Sequence, residues 1–187
     1  MSAQTWLTVD SDDLRHLPVY QGHPTRSKQQ YEGEHGILSL RFRQGWSGFL
    51  AWMESHDACV TLFVISDLLE QDDFSSLLRD ALNQFGTRLT VGCHGHTHRS
   101  WSAWGEDKAG FSAMLAASTK QLKAHPGDAY RPHFRAPNVY IAPWTATVPA
   151  HKGYTVDSSV TPAGLDKSNA AVVPGNAVLA ASTLTHL

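Results

Sequence analysis

Three histidines lie within five residues of one another near the middle of the chain. They are His94, His96 and His98, in the segment Cys-His-Gly-His-Thr-His that begins at position 93. Imidazole is the commonest metal ligand in proteins, so this cluster indicates a metal site. His94 and His98 can face one ion if the segment forms a helical or tight turn, whereas His94 and His96 share a face only if it stays extended. Gly95 permits the turn and favours the first pairing.

Carboxylates near the start of the chain could complete such a site. Asp10, Asp12 and Asp13 lie within four residues and follow a short apolar run. Like charges held this close raise one another's pKa unless a cation or a hydrogen-bond donor offsets them, and a bound metal is one such cation. A solvated turn, in which the side chains bond the local backbone, accounts for the same residues.

Two further charged residues follow strand-like runs later in the chain. Arg135 precedes Ala136 and Pro137, which force an extended exit and leave the arginine placed to pair with a carboxylate of the site. A surface salt bridge is the alternative role for Arg135. Asp157 ends a shorter run that begins at Gly153.

Apolar patterns predict the elements that must position these side chains. Continuous or alternating apolar runs predict strands at Trp6–Val9, Cys59–Ile65, Arg88–Cys93, Tyr130–Arg135 and about 153–157. Helical spacing predicts helices over Phe74–Phe85, which Gly86 ends, and over Phe111–Leu122, which Pro126 follows. The polar stretch from about Ser11 to Gln44 is interpreted as a long loop.

This alternation predicts an α/β fold with parallel strands, whose sites form at the carboxyl ends of the strands. A complete eight-fold barrel takes about 250 residues. With 187 residues, we predict a single domain over 1–187, built as a distorted or incomplete (β/α) barrel of about six or seven units. An open doubly wound sheet is the alternative.

Composition excludes several classes of partner. Fifteen Lys and Arg against seventeen Asp and Glu give a net charge of −2, so no overall field favours nucleic acid. The longest apolar run, at 58–65, is too short to span a membrane, and the N-terminus lacks a signal peptide, which predicts a cytoplasmic protein. Cys59 and Cys93 lie in apolar runs and are predicted to be buried thiols.

Taken in order, these segments resemble the polysaccharide deacetylase family, which is the NodB-homology domain of carbohydrate esterase family 4. Residues 8–12 (TVDSD) resemble its first motif in the Asp-x-Asp form, and 59–65 resemble its Ala-Thr-Phe-Phe-Val strand. Residues 94–98 resemble the His-(Ser/Thr/Gly)-x-x-His motif, 134–137 the third motif and 153–159 the fourth. The resemblance extends from about residue 6 to residue 160.

The resemblance implies a distorted barrel that holds a divalent ion, commonly zinc, on Asp12, His94 and His98. It implies that Asp10 is the general base that deprotonates the attacking water and that Arg135 orients this base, with Asp157 supporting the site. The implied reaction removes acetyl groups from an acetylated sugar or polysaccharide. Because Asp13 follows Asp12 directly, either carboxylate could be the ligand.

The chain departs from the family in its late Leu-x-x-His motif, whose histidine protonates the leaving amine. His186 is present near the C-terminus, but Thr183 stands where the motif requires leucine. A chain truncated at its C-terminus, an acid from elsewhere in the chain, or weak or absent activity would each account for this departure.

Two alternatives to the deacetylase hypothesis follow from the same residues. One is another barrel hydrolase, of the amidohydrolase or phosphoesterase type, with His94 and His96 on the metal. The other is a carbohydrate-binding homologue with weak catalysis. Aromatic residues that could stack on sugar rings in either case, or pack beneath loops, are Trp101, Trp104, Tyr140 and Trp144.

Overall fold

Strands and helices alternate along the described part of the chain. The computed structural model describes residues 6–34 and 36–159. In these residues the strands are β1 (Leu7–Asp10), β2 (Val60–Val64), β3 (Leu89–Cys93), β4 (Tyr130–Phe134) and β5 (Val156–Asp157). The α-helices are α1 (Leu40–Ser55), α2 (Asp72–Phe85), α3 (Lys108–Ala124) and α4 (Pro143–His151). The predicted α/β class is confirmed.

The five strands form one sheet in which every neighbouring pair is parallel, in the order β1-β2-β3-β4-β5. A doubly wound sheet reverses its strand order at a switch point so that its helices cover both faces. This sheet has no reversal, so right-handed connections place all the helices on one face, as in a (β/α) barrel. The strand order therefore argues against the doubly wound alternative and is consistent with a distorted barrel.

Two parts of the architectural prediction extend beyond these residues. The predicted count of six or seven units concerns the whole chain. The apolar run at 177–182 (AVLAAS) is a further strand candidate in the sequence, and it lies outside the described residues. Within the described residues, no helix combines the length and the apolar character needed to cross a bilayer.

The centre of the sheet is apolar on both faces. Every residue of β2 is buried, as its continuous apolar run predicts. Cys93 at the end of β3 is also buried, but Cys59 lies just before β2 begins and is exposed, so the prediction of a buried thiol is wrong for Cys59. Both cysteines are free.

The two predicted helices are present, and they pack through the residues that predicted them. On α2 the buried side chains are Phe74, Leu78, Ala81 and Phe85. Gly86 ends this helix with a φ of +55°, a conformation that glycine adopts without steric cost. On α3 the buried side chains are Phe111, Leu115, Ser118 and Leu122.

The long loop is shorter than predicted, because α1 begins at Leu40. Ser39 caps this helix by accepting a hydrogen bond from the backbone N–H of Phe42 at 3.1 Å. The prediction of a loop is therefore wrong for residues 40–44. Helix α4 was also not predicted, since Pro149 within it disfavours a helix interior.

Candidate active site

The carboxyl ends of β1 and β3 bring three candidate metal ligands together. Asp12 follows β1, whereas His94 and His98 follow β3. One ligand atom from each of the three lies within 4.8 Å of the others. Asp12 Oδ1 is 3.1 Å from His98 Nε2 and 3.8 Å from His94 Nε2. Residues some eighty positions apart in sequence therefore face one point.

Both histidines are held through the nitrogen that does not face this point. His94 Nδ1 donates to the backbone carbonyl of Arg135 at 2.9 Å, and His98 Nδ1 donates to that of His16 at 2.7 Å. A carbonyl can only accept, so Nδ1 must carry the proton in each ring. Each Nε2 is thus left with a lone pair directed at the site, which is how metal-binding histidines are oriented in proteins.

This set of atoms fits a divalent metal ion. Two imidazole Nε2 lone pairs and a carboxylate oxygen converge, and two acceptors 3.1 Å apart repel each other unless a proton or a cation lies between them. Nitrogen and oxygen donors in this number are the ligand set of catalytic zinc and related transition metals. The three side chains therefore have the donor atoms and the proximity that a metal site requires, as the spacing of the histidines predicts.

His98 has the most constrained position of the three. It is 4% exposed, and its φ of +53° is uncommon for a residue other than glycine. Burial lowers the pKa of His98 from 6.5 to about 4, although the nearby carboxylate of Asp12 opposes the shift. The ring is therefore neutral near pH 7 and can bind a cation without first losing a proton.

The turn that joins the two histidines is irregular, not helical. Gly95 has a φ of +82°, so positions 95 and 98 both adopt the left-handed region. His96 lies outside the ligand group, since its Nδ1 is 3.0 Å from the hydroxyl of Ser66. The pairing of His94 with His98 is therefore the one that the structure places beside Asp12.

Asp13 has a different environment from its neighbour. Its carboxylate is buried and accepts from the backbone N–H of Leu14 at 2.6 Å and of Ser39 at 3.0 Å, and from the Ser39 hydroxyl. These bonds join the loop after β1 to the start of α1. Asp12, by contrast, directs its oxygen at the two histidines, so the geometry favours it as the ligand.

Asp10 and Arg135 form an ion pair beside the ligand group. Arg135 Nη1 donates to Asp10 Oδ1 at 2.8 Å, while Asp10 Oδ2 is 4.0 Å from His94 Nε2. The guanidinium also donates to Thr8 Oγ1 at 2.8 Å and to Ser158 Oγ at 3.0 Å, and it lies 4.4 Å above the Phe63 ring. These contacts fix the arginine and leave one oxygen of Asp10 facing the ligands.

Among the described residues, Asp157 forms no hydrogen bond or ion pair with the other predicted site residues, although the charge of Arg135 acts on it. Its carboxylate is buried and accepts from the backbone N–H and the hydroxyl of Ser159. The Ser159 hydroxyl oxygen in turn accepts from the backbone N–H of Ala136 at 2.7 Å. Burial raises the pKa of Asp157, and the two bonds from Ser159 oppose the shift. Its visible role is to join the ends of β4 and β5.

Sequence reasoning missed the residues that position His98. His16 is buried, accepts from the backbone N–H of Asp13 at its Nδ1, and donates from Nε2 to Asp67 Oδ1 at 3.1 Å. Arg15 donates two hydrogen bonds to the same Asp67 carboxylate, at 3.0 and 3.2 Å. Asp67 follows β2, so its position at a strand end was a usable signal. His16 acts through its backbone carbonyl, which leaves no mark in the sequence.

The predicted aromatic residues have mixed environments. Trp144 packs against Phe111 at a centroid distance of 6.0 Å, and Tyr140 contacts His23 at 5.2 Å. Trp104 is 38% exposed, and Trp101 is half-buried. The candidate acid His186 lies outside the described residues.

Comparisons with known proteins identify related folds. A scan with protein-family models and a search of curated proteins give no match. A protein assigned as a polysaccharide deacetylase from Mycobacterium smegmatis aligns with a TM-score of 0.59 and 18% identity, over 83% of this chain and 50% of that one. A family 4 carbohydrate esterase from Streptomyces lividans, solved with acetate, aligns with a TM-score of 0.52 and 15% identity, over 81% of this chain and 59% of the other.

These alignments concern the fold. The chain has the fold of polysaccharide deacetylase and carbohydrate esterase family 4 structures, which confirms the fold that the order of the motifs implied. It spans about half the length of the first of these structures.

Proposed function

We propose that this chain is a metal-dependent hydrolase that removes acetyl groups from an N- or O-acetylated sugar or polysaccharide. The observation that carries the proposal is the meeting of Asp12, His94 and His98 beside the ion pair of Asp10 and Arg135. The fold supports it, since a polysaccharide deacetylase and a family 4 carbohydrate esterase of known structure share that fold.

Asp12, His94 and His98 would hold the divalent ion, which we propose to be zinc. An ion bound there supplies Lewis-acid chemistry, which polarises an acyl carbonyl and lowers the pKa of water. Three protein ligands leave coordination positions open, which distinguishes catalytic from structural zinc sites. The hydrogen bonds from Nδ1 of each histidine keep the two rings oriented before the ion binds.

Asp10 would act as the general base. Its Oδ2 faces the ligand group, whereas its Oδ1 is held by Arg135 at 2.8 Å. The side chain is 32% exposed, so water can reach the free oxygen. Proton transfer to this oxygen as the water attacks the acetyl carbonyl completes the base's part of the reaction. Arg135 keeps the carboxylate pointed at the ligands throughout.

The direct test is acetate release from a panel of acetylated carbohydrates. The panel contains chitin oligomers, peptidoglycan fragments and acetylated xylan, each assayed with and without a chelator. We expect release from at least one substrate, loss of release with chelator, and recovery when zinc is restored. Binding of these carbohydrates with no acetate released from any of them would replace the hydrolase with a carbohydrate-binding protein.

Two substitutions separate the proposed base from the proposed ligands. Asp10→Asn should reduce turnover roughly a hundredfold or more, which is the usual effect of losing a general base. The variant should keep its bound metal. His94→Ala should lose both the metal and turnover. Metal content by atomic emission, measured beside acetate release, checks both. Loss of the metal in the Asp10→Asn variant would show that the roles are misassigned.

A further inference from the structure

Three half-buried arginines lie close to the candidate site, and one of them has no anionic partner. Arg15 pairs with Asp67, and Arg135 pairs with Asp10. Arg99 forms no hydrogen bond or ion pair within the described residues, and its Nε is buried without a partner. An unpaired buried N–H of this kind costs free energy, and Arg99 differs from Arg15 and Arg135 in having no carboxylate partner that offsets this cost.

Arg99 is held by aromatic rings. Its Cζ lies 4.7 Å from the ring centroid of Trp101 and 4.3 Å from that of Trp104. Trp101 packs on Phe111 at 5.5 Å, and Trp104 Nε1 donates to the carbonyl of Gly22 at 3.2 Å. Stacking holds a guanidinium by its faces and keeps its charge. Its in-plane N–H donors therefore stay available for a carboxylate or a phosphate.

This cation is adjacent to the candidate metal site. Arg99 directly follows His98, and consecutive Cα atoms are about 3.8 Å apart. Gly22, which anchors Trp104, packs so closely on this segment that a Cβ there would lie 2.5 Å from the His98 carbonyl oxygen. Arg99 also lines a small cavity together with Asp157, but the two form no ion pair. Arg99 therefore belongs to the same loop as the proposed ligand His98, and a substrate that extends from the metal along this loop would meet it.

We propose that Arg99 binds an anionic group, either a carboxylate or a phosphate, carried by the carbohydrate substrate. This inference rests on the proposed function and narrows its substrate class to acidic acetylated carbohydrates. Asp10 is already paired with Arg135, and Asp12 is a proposed ligand of the divalent ion, so neither carboxylate neutralises Arg99. Arg99 is the half-buried arginine near the site that no carboxylate of the described residues already occupies.

Binding of simple sugars tests this without requiring turnover. Tryptophan fluorescence would follow titration of the zinc-loaded protein with D-glucuronate, D-glucose 6-phosphate and D-glucose, since Trp101 and Trp104 contact Arg99. We expect one of the two anionic sugars to bind at least ~10-fold more tightly than glucose. A hydrogen bond between charged groups contributes a gain in affinity of this size. Whichever is preferred identifies the group as carboxylate or phosphate. Equal binding of all three sugars, or no binding of either anionic sugar, would overturn the inference.

Variants separate recognition from structural support. Arg99→Gln should remove the preference for the anionic sugar, while the control Arg79→Gln should keep it, because Arg79 is exposed and faces only Asp80 at 3.8 Å. If the Gln variant unfolds, Arg99→Lys keeps the charge without the planar fork and should reduce the preference several-fold. A preference that survives in every folded Arg99 variant would refute the inference.

Kinetics distinguish this inference from the proposed function. If acetate is released, Arg99→Gln should raise KM for an acidic substrate about tenfold or more and leave KM for a neutral chitin oligomer unchanged. If no substrate releases acetate but the anionic sugar still binds through Arg99, the proposed hydrolase fails and the inference about Arg99 stands.

Discussion

The two candidate histidine ligands and the proposed base are each oriented by a hydrogen bond made away from the site. The carbonyls of Arg135 and His16 take the Nδ1 protons of His94 and His98, and Arg135 also holds one oxygen of Asp10. Because these partners come from different segments, the ligand geometry depends on the packing of the whole carboxyl end. Such partners commonly matter for metal affinity almost as much as the ligands themselves.

The individual residues of the candidate site could be predicted from the sequence. Asp10, Asp12, His94, His98 and Arg135 are identified by residue type and by position after a strand, and the structure brings these five together, although their roles remain the proposal made above. The choice between Asp12 and Asp13 could not be made from sequence. It depends on the bonds from Ser39, a residue 26 positions away from Asp13.

Asp157 supports a prediction about pH. Burial raises its pKa above the usual 3.8, so the folded state holds the proton more tightly than the unfolded chain. The resulting stabilisation is fully present below pH 3.8 and is lost as the pH rises through the higher folded pKa. Asp157→Asn keeps an oxygen that can accept from Ser159 but carries no charge. We therefore expect the free energy of unfolding of Asp157→Asn, relative to that of the wild type, to increase between pH 4 and pH 7.

Urea unfolding at the two pH values, with chelator present, measures this change. A difference between variant and wild type that stays constant from pH 4 to pH 7 would show that Asp157 has no raised pKa.

Among the elements, those with strong local patterns were predictable. The uninterrupted apolar run of β2 and the regular spacing of α2 each specify their element, because burial on both faces or on one stripe requires those patterns. Helix α1 carries a helical spacing at Phe42, Trp46, Phe49, Leu50 and Met53, but the polar stretch before it and its two glycines obscure that spacing. The helical spacing of α1 is therefore present in the sequence, although the prediction did not include this helix.

The loop between β1 and α1 has a positioning role that its composition does not reveal. His16 and Arg15 both bind Asp67, which follows β2, and the His16 carbonyl holds His98. The backbone N–H of Asp67 also donates to the carbonyl of His96 at 3.1 Å. Asp67 thus connects the loop after β1, which its carboxylate binds, to the loop after β3, which its backbone N–H binds.

This connection predicts that Asp67 affects metal affinity without touching the metal. Asp67→Asn keeps the backbone bond to His96 but weakens the pairing with Arg15 and His16. We expect the dissociation constant for zinc to rise about 10-fold, the lower end of what loss of such support costs. Competition with a chromogenic chelator measures it. The exposed Asp80→Asn is the matched control and should bind zinc as the wild type does; an Asp67→Asn variant indistinguishable from that control would contradict the role.

For the whole molecule, the parallel sheet explains why residues far apart in sequence share one site. Because every neighbouring pair is parallel, all the carboxyl ends lie at the same edge of the sheet, and the loops after β1 and β3 meet across the end of β2. The alternation of strands and helices made this class of fold predictable from sequence. The left-handed conformation of His98 and the packing of Gly22 on its carbonyl were not, since each depends on contacts between distant loops.

The most direct test of the account is the metal content of the purified protein and of three variants, measured by atomic emission after dialysis against zinc. We expect the wild type to retain a single ion per chain, Asp12→Ala and His98→Ala to lose it, and His96→Ala to retain it, because the His96 ring lies on Ser66 and not at the site. Folding of each variant is checked by circular dichroism. A folded His98→Ala protein that keeps its zinc, or a His96→Ala protein that loses it, would contradict the account.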